Sequence, residues 1–146
     1  MTAQGGDILA WLETAITARE DLARAAADEE QDASWSDGGE YGESVYTGGV
    51  ASAVVAGPWG HLPDATRKYI AANDPASVLR RCAADRKLLE LHGGQGHSCP
   101  SYDYDGDLDS FARFYDHEAC PVVQHLAEGY GWTAGQTPPT EGDQVT

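Results

Sequence analysis

Apolar residues over the first thirty positions recur with a helical period. Ile8, Leu9, Leu12, Ile16 and Leu22 form a stripe filled in by alanines, and Asp7 stands where an N-cap would. The spacing predicts a helix over 7–28, with Trp11 packing beside the stripe. Asp28, Glu29, Glu30 and Asp32 oppose the dipole at its C-terminal end, so fraying is expected there. From 33 to 60 the pattern changes. Trp35, Val45, Tyr46, Val50, Val54 and Val55 are set among Gly, Ser and Asp, and Thr47-Gly48-Gly49 offers a tight turn. Two or three short antiparallel strands with a hairpin centred on that turn follow from this alternation. The GPWG at 57–60 ends the unit.

A second helix is expected over 63–72, with Pro63 at its first position and Tyr69 and Ile70 facing inward. Asn73-Asp74-Pro75 is the clearest punctuation in the chain. Asp74 caps and Pro75 opens a third helix that ends at Gly93-Gly94. Val78, Cys82, Leu89 and His92 share one face of it, which makes Cys82 a small buried hydrophobe. Phe111, Phe114 and Tyr115 give residues 109–115 the look of a short helix. Pro121 starts a last helix in which Val122, Val123 and Leu126 pack and Gly129 is the stop. From Thr133 the chain is rich in Pro, Gly and polar residues, a composition expected of a disordered tail.

These elements add up to one α+β domain over 1–132: an N-terminal helix, a short antiparallel sheet of two to three strands, and three to four further helices. Residues 133–146 form the tail. The 146 residues are 41% hydrophobic with two Phe and one Met, so the core should be lean and alanine-rich. The net charge of −15 argues against direct nucleic-acid binding and leaves divalent cations or a basic protein partner. Charge is also unevenly placed. Arg67, Lys68, Arg80, Arg81, Arg86 and Lys87 hold six of the nine bases, so basic helices pairing with acidic segments is the plain expectation. No export signal and no span long enough for a bilayer is visible. Three cysteines, an odd number, fit free or metal-bound thiols in a reducing cytoplasm.

Chemistry concentrates between positions 92 and 125, which hold four of five histidines and two of three cysteines. His92, His97 and Cys99 precede an acidic, aromatic insert; His117 and Cys120 follow it. Two short groups of soft ligands across a loop suit a tetrahedral zinc ion held by Cys99, His117 and Cys120, with His92 or His97 as the fourth ligand. Cys120 at a helix start would be favoured as the thiolate, and a metal would make up for the few apolar side chains of residues 93–120 within a metal-stabilised subregion over 93–130. Such a site is structural, since no carboxylate is spaced as a general base. The alternating Asp103, Asp105, Asp107 and Asp109 do not form a calcium loop. Counted from Asp103, the sixth and twelfth positions are Leu108 and Phe114 rather than Gly and Glu. Cys120 with His117 as base has no orienting third group or oxyanion hole, so no enzyme is expected.

The segments DILAWLETAITAREDLARAA, Trp35, IAANDPASVLRRCAADRKLLELH, Cys99 and Cys120-Pro121 together resemble a family of small actinobacterial and actinophage proteins, a domain of unknown function. The resemblance covers most of residues 7–130. Members often carry Pro-Gly-Pro-Trp after the first helix, where this chain has Ala33-Ser34-Trp35, and a second cysteine where it has Tyr102. The resemblance implies a fold and zinc, and no activity. The reading that follows is a small acidic cytoplasmic binding or interaction protein with a structural zinc site. Its alternative is an acidic decoy that mimics DNA toward a DNA-binding partner.

Overall fold

Helix α1 spans Gly5–Glu30 in the computed structural model, which describes residues 5–48, 54–56, 62–93, 97–98, 101–102, 108–109, 113–114 and 119–133. It begins two residues before Asp7, which therefore sits in the first turn, where a carboxylate favours the dipole, rather than at the cap. Ile8, Leu12 and Ile16 are buried as expected. Leu22 is not: it is 73% exposed, and Glu20 and Ala23 continue the buried face instead. Six residues turn a helix through about 600°, which puts Leu22 well off the stripe that Ile16 ends. The helix runs through its acidic end to Glu30, and Gln31 then adopts φ 52°, the left-handed conformation that stops a helix.

The chain divides into two compact units, Ala18–Ala83 and Met1–Thr17 with Ala84–Thr146. In the first, β1 (Trp35–Ser36), β2 (Val45–Thr47) and β3 (Val54–Ala56) form an antiparallel sheet in sequence order, with Trp35 opposite Thr47 and Val45 opposite Ala56. Helix α2 (Asp64–Ala72) packs on β1 and β2, with Pro63 at its N-cap rather than its first position. Tyr69 does not face inward; it is 71% exposed. The residue α2 buries is Arg67. Its Nη1 donates to the carbonyls of Asp37 and, at 3.4 Å, Gly39, while Nη2 pairs with Asp64 at 3.0 Å. A loop thus wraps the guanidinium, and the backbone approach is close. A Cβ on Gly42 would lie 2.6 Å from Nη1, so no other residue fits there without displacement.

Helix α3 (Pro75–His92) starts as its sequence signals. Asp74 Oδ1 accepts the Ser77 N–H at 2.7 Å, and Oδ2 accepts the Trp35 N–H at 3.2 Å, so one carboxylate caps the helix and ties it to β1. Burial raises the Asp74 pKa. The hydrogen bonds from the Ser77 side chain and backbone and from Trp35, with the charge of Arg80, outweigh it and hold the carboxyl below its ordinary value. Cys82 and Leu89 are buried on α3, Val78 and His92 half-buried, as the shared face requires.

The second unit contains two paired ribbons and α4 (Pro121–Gly129). Strand β4 (His97–Ser98) pairs with β7 (Arg113–Phe114), and between them in sequence β5 (Ser101–Tyr102) pairs with β6 (Leu108–Asp109), all antiparallel. The short helix expected over 109–115 is therefore corrected. Its described residues are strand, because Arg113 and Phe114 find ladder partners in Ser98 and His97 that a local apolar period cannot reveal. The acidic positions Asp103, Asp105 and Asp107 and the tail from 134 lie outside the described residues. Among the described residues no helix is long and apolar enough to cross a membrane.

Candidate functional site

Cys120 is the N-cap residue of α4, with extended backbone (φ −68°, ψ 160°) and Pro121 at the first helical position. Proline suits that place because its missing N–H would have no partner in the first turn. The Cys120 carbonyl accepts the Gln124 N–H at 3.1 Å, but its side chain caps nothing. The thiol is left for other work. It is fully buried, and Sγ lies 3.7 Å from Nδ1 of His92 in the last turn of α3. His92 is held in place from behind: Gly93 closes α3 with a 2.7 Å bond to the Leu89 carbonyl, and a Cβ there would meet Leu9 at 2.8 Å.

The other end of α4 is fastened as well. Gly131 takes φ 97°; its N–H reaches the Glu128 carbonyl at 2.9 Å, and the Trp132 N–H reaches that of Ala127 at 2.9 Å. This is a Schellman closure, so the left-handed glycine that ends α4 is Gly131, two residues beyond the expected Gly129. The closure presents Tyr130, whose hydroxyl donates to Asp85 Oδ2 on α3 at 2.6 Å. Cys120 thus meets His92, and Tyr130 meets Asp85 seven residues earlier. The two ties make α4 antiparallel to the last two turns of α3, with Val123 and Ala127 buried on α4 between them.

Of the expected zinc ligands, the structure brings His92 and Cys120 together. Cys99 and His117 lie outside the described residues, and of His97 only the backbone, opposite Phe114, is described. Among the described residues no group of three or more His, Cys, Asp or Glu could hold a metal ion. The donor pair itself fits one. Zinc–sulfur and zinc–nitrogen bonds of about 2.3 and 2.05 Å at a tetrahedral angle put S and N about 3.6 Å apart, next to the 3.7 Å measured. A thiol–imidazole hydrogen bond would have a similar length. His125, on the exposed side of α4, pairs with Glu128 at 3.2 Å and is turned away from the thiol.

Tyr130 and Asp85 are the contact that sequence reasoning missed. A signal existed in Asp85, a carboxylate three residues after Cys82 and seven before His92 on the buried face of α3. An acid there calls for a donor. No curated protein and no solved structure matches the chain. A family model does match, over residues 5–131, and by it the chain belongs to DUF6221, a family of unknown function.

Proposed function

We propose that His92 and Cys120 are two ligands of a structural zinc site that Cys99 and His117 complete, His97 being the alternative nitrogen to His92. The protein so stabilised is a small binding domain of the cytoplasm, where thiols stay reduced. Its charge of −15 favours a basic protein partner. The 3.7 Å separation of Sγ and Nδ1 carries the reading. His117 is within reach, since three residues keep its Cα inside ~11 Å of that of Cys120 in any conformation. Bound there, zinc would supply cross-linking of chain segments rather than chemistry on a substrate.

The decoy alternative has less behind it. Of the acids at 28–32 only Asp28 and Glu29 are exposed, and Asp32 accepts the Ser34 N–H at 2.9 Å rather than facing a partner. Metal analysis decides the zinc reading. Protein purified in metal-free buffer under reducing conditions should carry about one zinc per chain. Cobalt substitution should give thiolate charge-transfer bands, and Cys120→Ser should lose both. Folded, reduced protein that holds no zinc and takes up no cobalt would sink it.

A further inference from the structure

We infer that the Tyr130–Asp85 hydrogen bond is a positioning contact that sets Cys120 against His92 from the far end of α4. It deepens the zinc reading, but its first test needs no metal. Cys120 has no side-chain bond within α4 to fix it, and Pro121 after it contributes no N–H. A helix of nine residues is too short to hold itself together in water, so α4 owes its place to its contacts with the rest of the unit.

Among the described residues those include contacts at three places along the helix. Val123 and Ala127 are buried along the middle of α4, the thiol–imidazole contact lies at one end, and the phenol–carboxylate bond lies at the other. The last is the stronger of the two end contacts. At 2.6 Å it has the length of a hydroxyl donating to an ionised carboxylate. Its geometry is also well determined. The Tyr130 N–H bonds to the Ala127 carbonyl at 3.0 Å, and the Schellman closure fixes the next two residues, so the Tyr130 backbone moves with α4.

Leverage does the rest. Ten residue steps lead from Cys120 to Tyr130, about 15 Å at 1.5 Å per residue. With the Tyr130 end released, a tilt of about 10° about the buried middle of α4 moves Cys120 by roughly 1.3 Å. That displacement breaks a 3.7 Å thiol–imidazole contact and exposes a thiol that is now fully buried. Removing the phenol hydroxyl should thus be felt at the opposite end of the helix.

Peptide-resolved alkylation of the full chain tests this, with Cys82 as the internal control. Cys82 is as fully buried as Cys120 but sits within α3, away from α4 in sequence. Tyr130→Phe should speed N-ethylmaleimide labelling of Cys120 about tenfold and leave Cys82 within about twofold. Asp85→Ala should do the same, and Asp85→Asn, which keeps an acceptor for the hydroxyl, should return most of the protection. Unchanged labelling of Cys120 overturns the inference. Equal acceleration at both cysteines, or no rescue by Asp85→Asn, overturns it too, because a general loss of stability would produce either. Cobalt titration separates this result from the metal reading. Wild-type protein that takes up no cobalt defeats the zinc site and leaves the labelling result to stand or fall alone.

Discussion

Arg67 gives its guanidinium mainly to backbone carbonyls, and the loop over it is shaped to that use. Replacing it by Met would take the guanidinium from the Asp37 carbonyl and leave the Gly39 carbonyl only the Gly42 N–H, at a cost of about 2–3 kcal/mol. Tyr69, two residues along the same helix, is mostly solvent-exposed, and Tyr69→Ser should stay within about 0.5 kcal/mol. Urea unfolding with an unchanged slope is the measurement, and a larger loss at Tyr69 than at Arg67 would refute this account of α2. Hydropathy alone ranks these residues the other way round, with Tyr69 and Ile70 inside. The reason is that the acceptors of Arg67 lie about thirty residues earlier, on a loop whose course is not written in α2 itself. Cys82, by contrast, was legible, because its environment is the face of its own helix.

At the level of elements, starts and stops with a chemical signature were readable and partners across a ladder were not. Asp74-Pro75 announced α3 because a short carboxylate and a fixed φ serve a helix start in only a few ways. Residues 109–115 misled because Phe111, Phe114 and Tyr115 fit a helical period as well as anything local can. The Asp74 cap also carries a pH dependence. Its folded pKa lies below the unfolded value near 3.8, so the unfolded chain binds the proton more readily. The stabilisation is therefore complete above about pH 5 and fades as pH falls through the lower folded value. Asp74→Ala should cost about 1–2 kcal/mol near neutrality. Asp74→Asn should flatten the acid limb of the urea midpoint plotted against pH. An acid limb with the same slope in that variant would assign it to other carboxylates.

On the scale of the molecule, the largest fully buried side chains among the described residues are Leu12, Ile16, Val45, Val123, Cys82 and Cys120. None is aromatic, and two of the six are thiols. The division into two units was not legible, because α1 and α3 each run on without any break in their sequence pattern at 17–18 or 83–84. The meeting of His92 and Cys120 was legible, from ligand type and spacing. The contact behind them was not, since it joins a tyrosine and an aspartate with no metal chemistry of their own. Charge is settled locally where it is paired. Arg24 binds Glu20 and Asp21, and Asp64 binds Arg67 and Lys68, each within one helical turn. The pairs exposed on both sides, Arg24–Asp21 and Lys68–Asp64, add little to stability, so the acidic excess remains a property of the surface.

A helix held at both ends opens differently from one held at a single end. With Tyr130 on Asp85 and Cys120 beside His92, each terminus of α4 must break a contact before it can peel back. The amides of Gln124 through Tyr130 should therefore exchange with solvent deuterium in one shared event, with a common opening free energy. A graded series of rates, fastest at either end, would show that one of the two fastenings is not holding. Motion in this part of the protein is then a two-position matter, shut or released, and the buried thiol meets solvent only in the second.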